Sequence, residues 1–128
     1  MDYWPWTVTM KIEKFENIEA WKKARALATA VYKATKGPLF SKDYGLRDQV
    51  QRAAVSIMAN IAEGFDANSD DEFVRFLRYA LRSASEAQSH LYVAADQGYI
   101  SGEDFTQLYD QATEAKKLIS GFIRYLRD

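Results

Sequence analysis

Residues 101–126, with the sequence SGEDFTQLYDQATEAKKLISGFIRYL, carry the pattern that decides the fold. Ser101 and Asp104 have the spacing of a helix N-cap and the third residue of the first turn, so a helix is predicted to begin here. The apolar residues that follow recur in alternating steps of three and four, a spacing typical of left-handed helical bundles. They are Phe105, Leu108, Ala112, Ala115, Ile119, Phe122 and Leu126.

Two earlier segments carry comparable apolar faces. Helix one is predicted over about residues 18–35, with Asn17 as its N-cap. Helix two is predicted over about residues 46–63, with Gly64 as its stop. The two faces consist of Ile18, Trp21, Ala24, Ala28 and Val31 in helix one, and of Leu46, Val50, Ala53, Ala54, Ile57 and Ile61 in helix two.

Helix three is predicted between a capping box and a glycine. Ser69 is its expected N-cap, Glu72 completes the box, and Gly98 ends the helix after Gln97. Its seam contains four alanines, which implies close approach to a neighbouring helix: Phe73, Leu77, Ala80, Ala84, Ala87, Leu91 and Ala94. Because all links between helices are short, sequential neighbours should be antiparallel. The sequence therefore predicts an all-α, antiparallel up-down-up-down four-helix bundle over residues 15–128.

Some apolar surface exceeds what one bundle requires. Leu118, Ile123 and Tyr125 lie outside the seam of helix four, which suggests a second contact face, to another subunit. Residues 1–14 differ from the rest because their apolar residues recur at every second position. We expect an extended N-terminal arm whose tryptophans dock on a neighbouring surface; a loose tail, or a start of translation within it, is the alternative. The alternating residues are Trp4, Trp6, Val8, Met10 and Ile12.

Composition argues against several classes of function. The 128 residues include no cysteine and one histidine, His90, so thiol chemistry, Cys/His zinc sites and paired Glu-x-x-His metal sites have no basis. Glu86 lies four residues before His90, which is the wrong spacing for that metal motif. No apolar run approaches the length of a membrane span, and no signal peptide is visible. We expect a cytoplasmic protein that is not an enzyme and has no metal, cofactor or membrane partner.

Polar residues form a second stripe along helix two, again in steps of three and four. Antiparallel pairing about the turn at residues 64–69 brings Arg52 near Ser83 and Glu86, and predicts an Arg52–Glu86 ion pair. The stripe then fixes the register of the helices or a subunit contact. The alternative is contact with a ligand or an RNA backbone through Arg52 and Asn60. The stripe consists of Gln49, Arg52, Ser56, Asn60 and Glu63.

Basic residues are unevenly distributed, although the net charge is only −1. Residues 1–52 contain ten Lys/Arg against six Asp/Glu, and residues 53–128 contain seven against twelve. A local basic face is compatible with these counts, but the whole chain has no electrostatic drive toward nucleic acid. Solvated helix faces are the alternative interpretation. The candidate nucleic-acid contacts are Lys22, Lys23, Arg25 and Lys33 on helix one, and Arg75, Arg78 and Arg82 on helix three.

A family resemblance adds to this interpretation. The stretch QVQRAAVSI at residues 49–57, followed by NIAEG at 60–64, resembles the signature of the 23S ribosomal RNA intervening-sequence proteins. FENIEAWKKA at residues 15–24 resembles the opening of that family, and FxxFLxxAxxSxxE at 73–86 resembles its third helix. The resemblance covers about residues 15–126.

The resemblance implies a bacterial cytosolic protein without known catalysis. Relatives form ring-like homopentamers, so it also implies self-association into a pentameric scaffold or interaction module. A similar accessory protein of diversity-generating retroelements binds a reverse transcriptase and nucleic acid through a basic surface. This chain departs from that accessory protein because its pI is near 5.9. A nucleic-acid-associated accessory protein is therefore the alternative function.

Overall fold

Four long helices account for most of the residues that the structure describes. The computed structural model describes residues 12–128, in which two short 3-10 turns, Phe15–Asn17 and Phe40–Lys42, precede the first and second long helices. Each long helix packs against two neighbours, so the first and third occupy opposite corners of the bundle. The predicted all-α four-helix bundle is confirmed. The helices are α1 (Glu19–Ala34), α2 (Tyr44–Phe65), α3 (Asp70–Asp96) and α4 (Gly102–Arg127).

Hydrogen bonds between α3 and α4 show the antiparallel arrangement of these two helices directly. Gln88 of α3 bonds to Thr113 of α4, and Ser85 bonds to Lys116. Along this contact, residue numbers increase in α4 while they decrease in α3, so the two helices run in opposite directions. The same relation holds between α2 and α3, where Ser56 bonds to Ser83 and the Phe65 ring packs against the Phe73 ring.

Two predicted N-caps and one predicted stop are confirmed. Ser69 Oγ accepts a hydrogen bond from the N–H of Glu72 at 3.2 Å, and Ser101 Oγ accepts one from the N–H of Asp104 at 3.0 Å. These bonds satisfy amide groups that have no partner within the helix. Gly98 has a φ of 75°, and the N–H of the next residue bonds back to the carbonyl of Ala94 at 2.9 Å. This is the Schellman ending that glycine favours.

Two predicted helix boundaries are wrong. Asn17 does not cap α1: it ends a 3-10 turn, and Ile18 occupies the N-cap position without a side-chain hydrogen bond. Gly64 does not end α2, which continues to Phe65, because the glycine is buried where α2 approaches α3. The start of α2 lies two residues before the predicted one, where Asp43 Oδ1 accepts the N–H of Leu46 at 3.1 Å.

The core combines the predicted seams, and the four alanines in the seam of α3 are completely buried. The extra apolar surface of α4 contributes to the core of the bundle, and its contact with another subunit stays a prediction. Ile123 is only 8% exposed, and Leu118 and Tyr125 pack half-buried against the same core. Because α4 lies between α1 and α3, it buries a face wider than one seam.

The predicted N-terminal arm, residues 1–14, lies outside the described residues except for positions 12–14. Ile12 is half-buried and packs against the core of the bundle. Within residues 12–128, no helix combines the length and the apolar character needed to cross a bilayer.

Candidate interaction surfaces

Three residues of the predicted polar stripe meet across the contact between α2 and α3. The Ser83 hydroxyl donates to Ser56 Oγ at 2.9 Å, and Asn60 Nδ2 donates to the same oxygen at 3.0 Å. Asn60 also donates to the Ser56 carbonyl at 2.8 Å. All three side chains are half-buried, so their polar atoms need these partners. This part of the stripe has the geometry expected of a group that fixes helix register.

The prediction of an Arg52–Glu86 ion pair is wrong, because no such pair forms among residues 12–128. Glu86 instead approaches His90 on its own helix, with 3.3 Å between the carboxylate and Nε2. The pairing of Ser56 with Ser83 brings Arg52 level with Ala87, whose side chain enters the core. Glu86 lies about 100° farther around the helix and is exposed.

One exposed member of the polar stripe, Arg52, lies in an open groove, which we call the α1–α2 groove. Gln49, Arg52 and Glu63 are exposed, and Arg52 lines the groove itself. The groove has a volume of about 490 Å³ and is lined by Tyr32, Asp48, Gln51, Arg52, Val55, Ser56 and Ala59. Tyr32 and Val55 are 44% and 39% exposed, which is high for large apolar side chains.

One wall of the α1–α2 groove is fixed by a buried hydroxyl. Gln51 Nε2 donates to Thr35 Oγ1 at 2.9 Å, and that hydroxyl donates to the Tyr32 carbonyl at 2.8 Å. Thr35 is only 2% exposed. These bonds tie the end of α1 to α2 beside the exposed Tyr32 ring.

The seven candidate nucleic-acid contacts do not form one surface. Four belong to α1 and three to α3, and these helices lie at opposite corners of the bundle. On α1, Lys22 is paired with Glu19 at 3.2 Å, and the Arg25 guanidinium lies 5.7 Å from the centre of the Trp21 ring. Lys23 and Lys33 are exposed.

The three arginines of α3 share an exposed face, and one of them is paired with a carboxylate. Arg75 pairs with Glu72 at 2.7 Å and donates to the Tyr79 hydroxyl at 2.9 Å, and the bond to Glu72 is the main cause that raises the pKa of Arg75. Arg82 lies 5.7 Å from the centre of the Tyr79 ring. Arg78 is exposed on the same side of the helix.

A second groove lies between α3 and α4, and we call it the α3–α4 groove. Gln88, only 6% exposed, donates through Nε2 to Thr113 Oγ1 at 3.0 Å and to the Tyr109 carbonyl at 3.3 Å. Lys116 Nζ donates to Gln88 Oε1 at 3.2 Å and to Ser85 Oγ at 3.0 Å. The groove has a volume of about 510 Å³ and is lined by Gln88, Tyr109, Thr113, Lys116, Lys117, Ser120 and Arg124.

Comparison with known families agrees with this arrangement of helices. The family model described as 23S rRNA-intervening sequence protein matches residues 16–121. The chain belongs to the 23S rRNA-intervening sequence protein family. The resemblance stated from residues 15–126 is thereby confirmed.

A solved structure resembles this member of the family closely in fold. It is the crystal structure of a protein with unknown function from the S23 ribosomal protein family of Bacteroides thetaiotaomicron VPI-5482. The TM-score is 0.74 at 28% sequence identity, over 81% of this chain and 97% of the other. A search of curated proteins finds no match.

One histidine and no metal-binding cluster are found in the described part of this 23S rRNA-intervening sequence protein. Among residues 12–128, no group of three or more His, Cys, Asp or Glu side chains is arranged to hold a metal ion. His90 has one acidic neighbour, Glu86, on its own helix. The absence of an enzymatic function and of a cofactor stays a prediction.

The sequence patterns did not predict either groove; of the lining residues, only Arg52 and Ser56 of the α1–α2 groove belong to the predicted polar stripe. Tyr32 directly follows Val31, the last residue of the predicted apolar face of α1, and Val55 lies between the stripe residues Arg52 and Ser56 of α2. A valine between these polar positions was the available signal for the α1–α2 groove. For the α3–α4 groove, the signal was Lys116, Lys117 and Arg124 in a half of the chain that is otherwise acidic.

Proposed function

We propose that this protein is a non-enzymatic scaffold or interaction module that acts as a homo-oligomer, with the α1–α2 groove as the contact between copies. The observation that carries the proposal is the exposure of Tyr32 and Val55 in one groove. Ala59 extends the apolar floor, and Asp48 and Arg52 stand at the polar rim. An apolar centre inside a polar rim is the usual anatomy of a protein–protein interface.

A second copy of the chain is the occupant that this chemistry favours. The rim carries one acidic and one basic residue, Asp48 and Arg52, so it does not select a highly charged partner. Closed homo-oligomers are the commonest assemblies of soluble proteins. The family resemblance supports a ring of five copies, and a pentamer is the stoichiometry that we propose.

Light scattering of the purified chain tests the assembly. The expected mass is that of five copies of the 14.7 kDa chain. The Val55→Glu variant should dissociate, because it buries an unpaired charge at the proposed contact. Circular dichroism of this variant should remain that of the folded helical chain.

Val93→Glu is the matched control. Val93 is 44% exposed on α3, close to the 39% of Val55, and it lies away from the α1–α2 groove. The same new charge there should leave the assembly intact. A wild-type chain that is monomeric at all protein concentrations contradicts the proposal, and so does equal dissociation of both variants.

A nucleic-acid-associated accessory protein is the second candidate. The observation that favours it is the shared exposed face of Arg75, Arg78 and Arg82, with the Tyr79 ring beside two of the guanidinium groups. Cations next to an aromatic ring suit the phosphates and bases of a single strand. The partner is then RNA, DNA or an enzyme that works on them, such as a reverse transcriptase.

Titration with a single-stranded RNA at low salt tests this second candidate. The Arg78→Gln/Arg82→Gln variant should bind more weakly, and the wild-type affinity should fall steeply as salt is added. Lys23→Gln/Lys33→Gln removes the same charge from α1 and should have a smaller effect. Equal affinity of all three proteins, or no binding at low salt, refutes the role of α3.

A further inference from the structure

The lining of the α3–α4 groove is unlike the rest of its half of the chain. Residues 53–128 contain seven Lys/Arg against twelve Asp/Glu, yet three of those seven basic residues line this one groove and no carboxylate does. They are Lys116, Lys117 and Arg124. Like charges that share a groove repel one another, and a bound anion reduces that cost. The lining therefore favours an anionic ligand.

One of these cations is held in place by neutral groups. The Lys116 ammonium donates to Ser85 Oγ and to Gln88 Oε1, and neither acceptor cancels its charge. Gln88 is itself buried and fixed by bonds to Thr113 and to the Tyr109 carbonyl. A cation whose position is set before the ligand arrives pays less ordering entropy on binding.

The other two cations have no acidic partner in the described chain. Across residues 12–128, neither Lys117 nor Arg124 takes part in an ion pair with a carboxylate. Arg124 Nη2 lies 3.8 Å from where a Cβ on Gly121 would be, so the guanidinium folds back along α4 toward a residue without a side chain. The exposed Arg124 side chain therefore lies along the helix surface.

We propose that the α3–α4 groove binds a phosphate group. A guanidinium and two ammonium groups match the double charge and the several oxygens of a phosphate better than the single charge of a carboxylate. The hydroxyl of Thr113 accepts from Gln88, which leaves its own proton to donate, and Ser120 adds a second hydroxyl. The volume of about 510 Å³ exceeds that of a phosphate alone, so the groove has room for a further moiety of the ligand.

Phosphate binding in the α3–α4 groove does not require self-association and is measured separately. Calorimetric titration of the full chain with inorganic pyrophosphate at low salt should show saturable binding, with one site per chain. Lys117→Gln/Arg124→Gln should weaken that binding at least about tenfold, because two charge-assisted contacts are lost. Lys23→Gln/Lys33→Gln, which removes two exposed cations from α1, should leave it within about twofold. All three proteins should unfold at similar temperatures.

A second arm distinguishes the source of the phosphate. A single-stranded oligonucleotide is titrated against the same three proteins, with and without saturating pyrophosphate. Selective loss of pyrophosphate binding in the groove variant supports a small phosphorylated ligand, whereas selective loss of oligonucleotide binding supports a phosphodiester backbone. Equal losses in the groove variant and the α1 variant overturn the proposal, as does the absence of binding of either probe to the wild type.

Discussion

Gly64 of α2 lies directly against Phe73 of α3. A Cβ on Gly64 would fall 2.7 Å from Cδ1 of the Phe73 ring and 2.9 Å from the Cβ of Phe76. The Phe76 atom is attached to the backbone of α3 and cannot rotate away. The two helices therefore approach so closely that only glycine fits at this point of α2, and the Phe65 ring packs edge-on against Phe73 beside it.

Gly64→Ala should destabilise the chain despite improving helix propensity. Overpacking of a close contact costs about 1–3 kcal/mol, and alanine returns about 1 kcal/mol as a better helix former. We expect a net loss of up to about 2 kcal/mol in the free energy of unfolding, measured by urea denaturation.

Gly121→Ala is the control for the same substitution in another helix interior. A Cβ there would meet only Arg124 Nη2, at 3.8 Å, which is an ordinary contact. This variant should therefore gain up to about 1 kcal/mol of stability. A Gly64→Ala variant that is as stable as Gly121→Ala would show that α2 and α3 can separate without cost.

The Ser56–Ser83 hydrogen bond should contribute a measurable coupling between α2 and α3. Ser56→Ala or Ser83→Ala alone should each cost about 1 kcal/mol, because the remaining half-buried polar groups lose a partner. The double variant should cost less than the sum by about 0.5 kcal/mol or more, as measured in a double-mutant cycle of urea denaturation.

Ser85 provides the comparison for that cycle. It lies two residues after Ser83 but bonds to Lys116 on the α4 side of α3. Ser56→Ala and Ser85→Ala should therefore be additive within about 0.5 kcal/mol. If the Ser56 and Ser83 substitutions are equally additive, the polar cluster does not hold the register of the two helices.

The sequence predicts those features of the fold that are determined by residues close together along one helix. The seam of α4 and the caps at Ser69 and Ser101 are set by residues three or four positions apart, so their signals are contained in short stretches. Gly64 shows where this fails, because the same residue type that ends a helix also permits close contact with a neighbour. Only the path of α3 distinguishes these two roles.

The candidate sites depend on which residues of neighbouring helices face each other. Sequence periodicity determines this register only to within one or two residues. The Arg52–Glu86 prediction fails because the observed pairing brings Ala87 level with Arg52, and one residue is a rotation of about 100° on a helix. The burial of Gln88 likewise follows from its position against Thr113 and Lys116 of α4. Polar residues at such contacts cannot be told from solvated ones until the neighbour is known.

Stability should depend on pH in the alkaline range through Tyr99 and Asp43. The Tyr99 hydroxyl, in the link between α3 and α4, donates to Asp43 Oδ2 at 3.0 Å, while the other oxygen of Asp43 caps α2. The hydrogen bond to Asp43 raises the pKa of Tyr99 above its ordinary value of 10.0. The folded chain thus holds this proton more tightly than the unfolded chain does, so the linked stability is fully present below pH 10 and is lost as pH rises through the folded pKa.

Tyr99→Phe separates this contribution from that of other titrating groups. The difference in unfolding midpoint between the wild type and Tyr99→Phe should be constant from about pH 8 to about pH 10 and should shrink at higher pH. Thermal unfolding followed by circular dichroism at each pH measures it. Asp43→Asn keeps a capping side chain but removes the charge that repels a tyrosinate. The difference in unfolding midpoint between Asp43→Asn and Asp43→Asn/Tyr99→Phe should therefore vary less with pH than the wild-type difference does. If the difference in unfolding midpoint between the wild type and Tyr99→Phe does not change with pH, the Tyr99–Asp43 bond does not link stability to the ionisation of Tyr99.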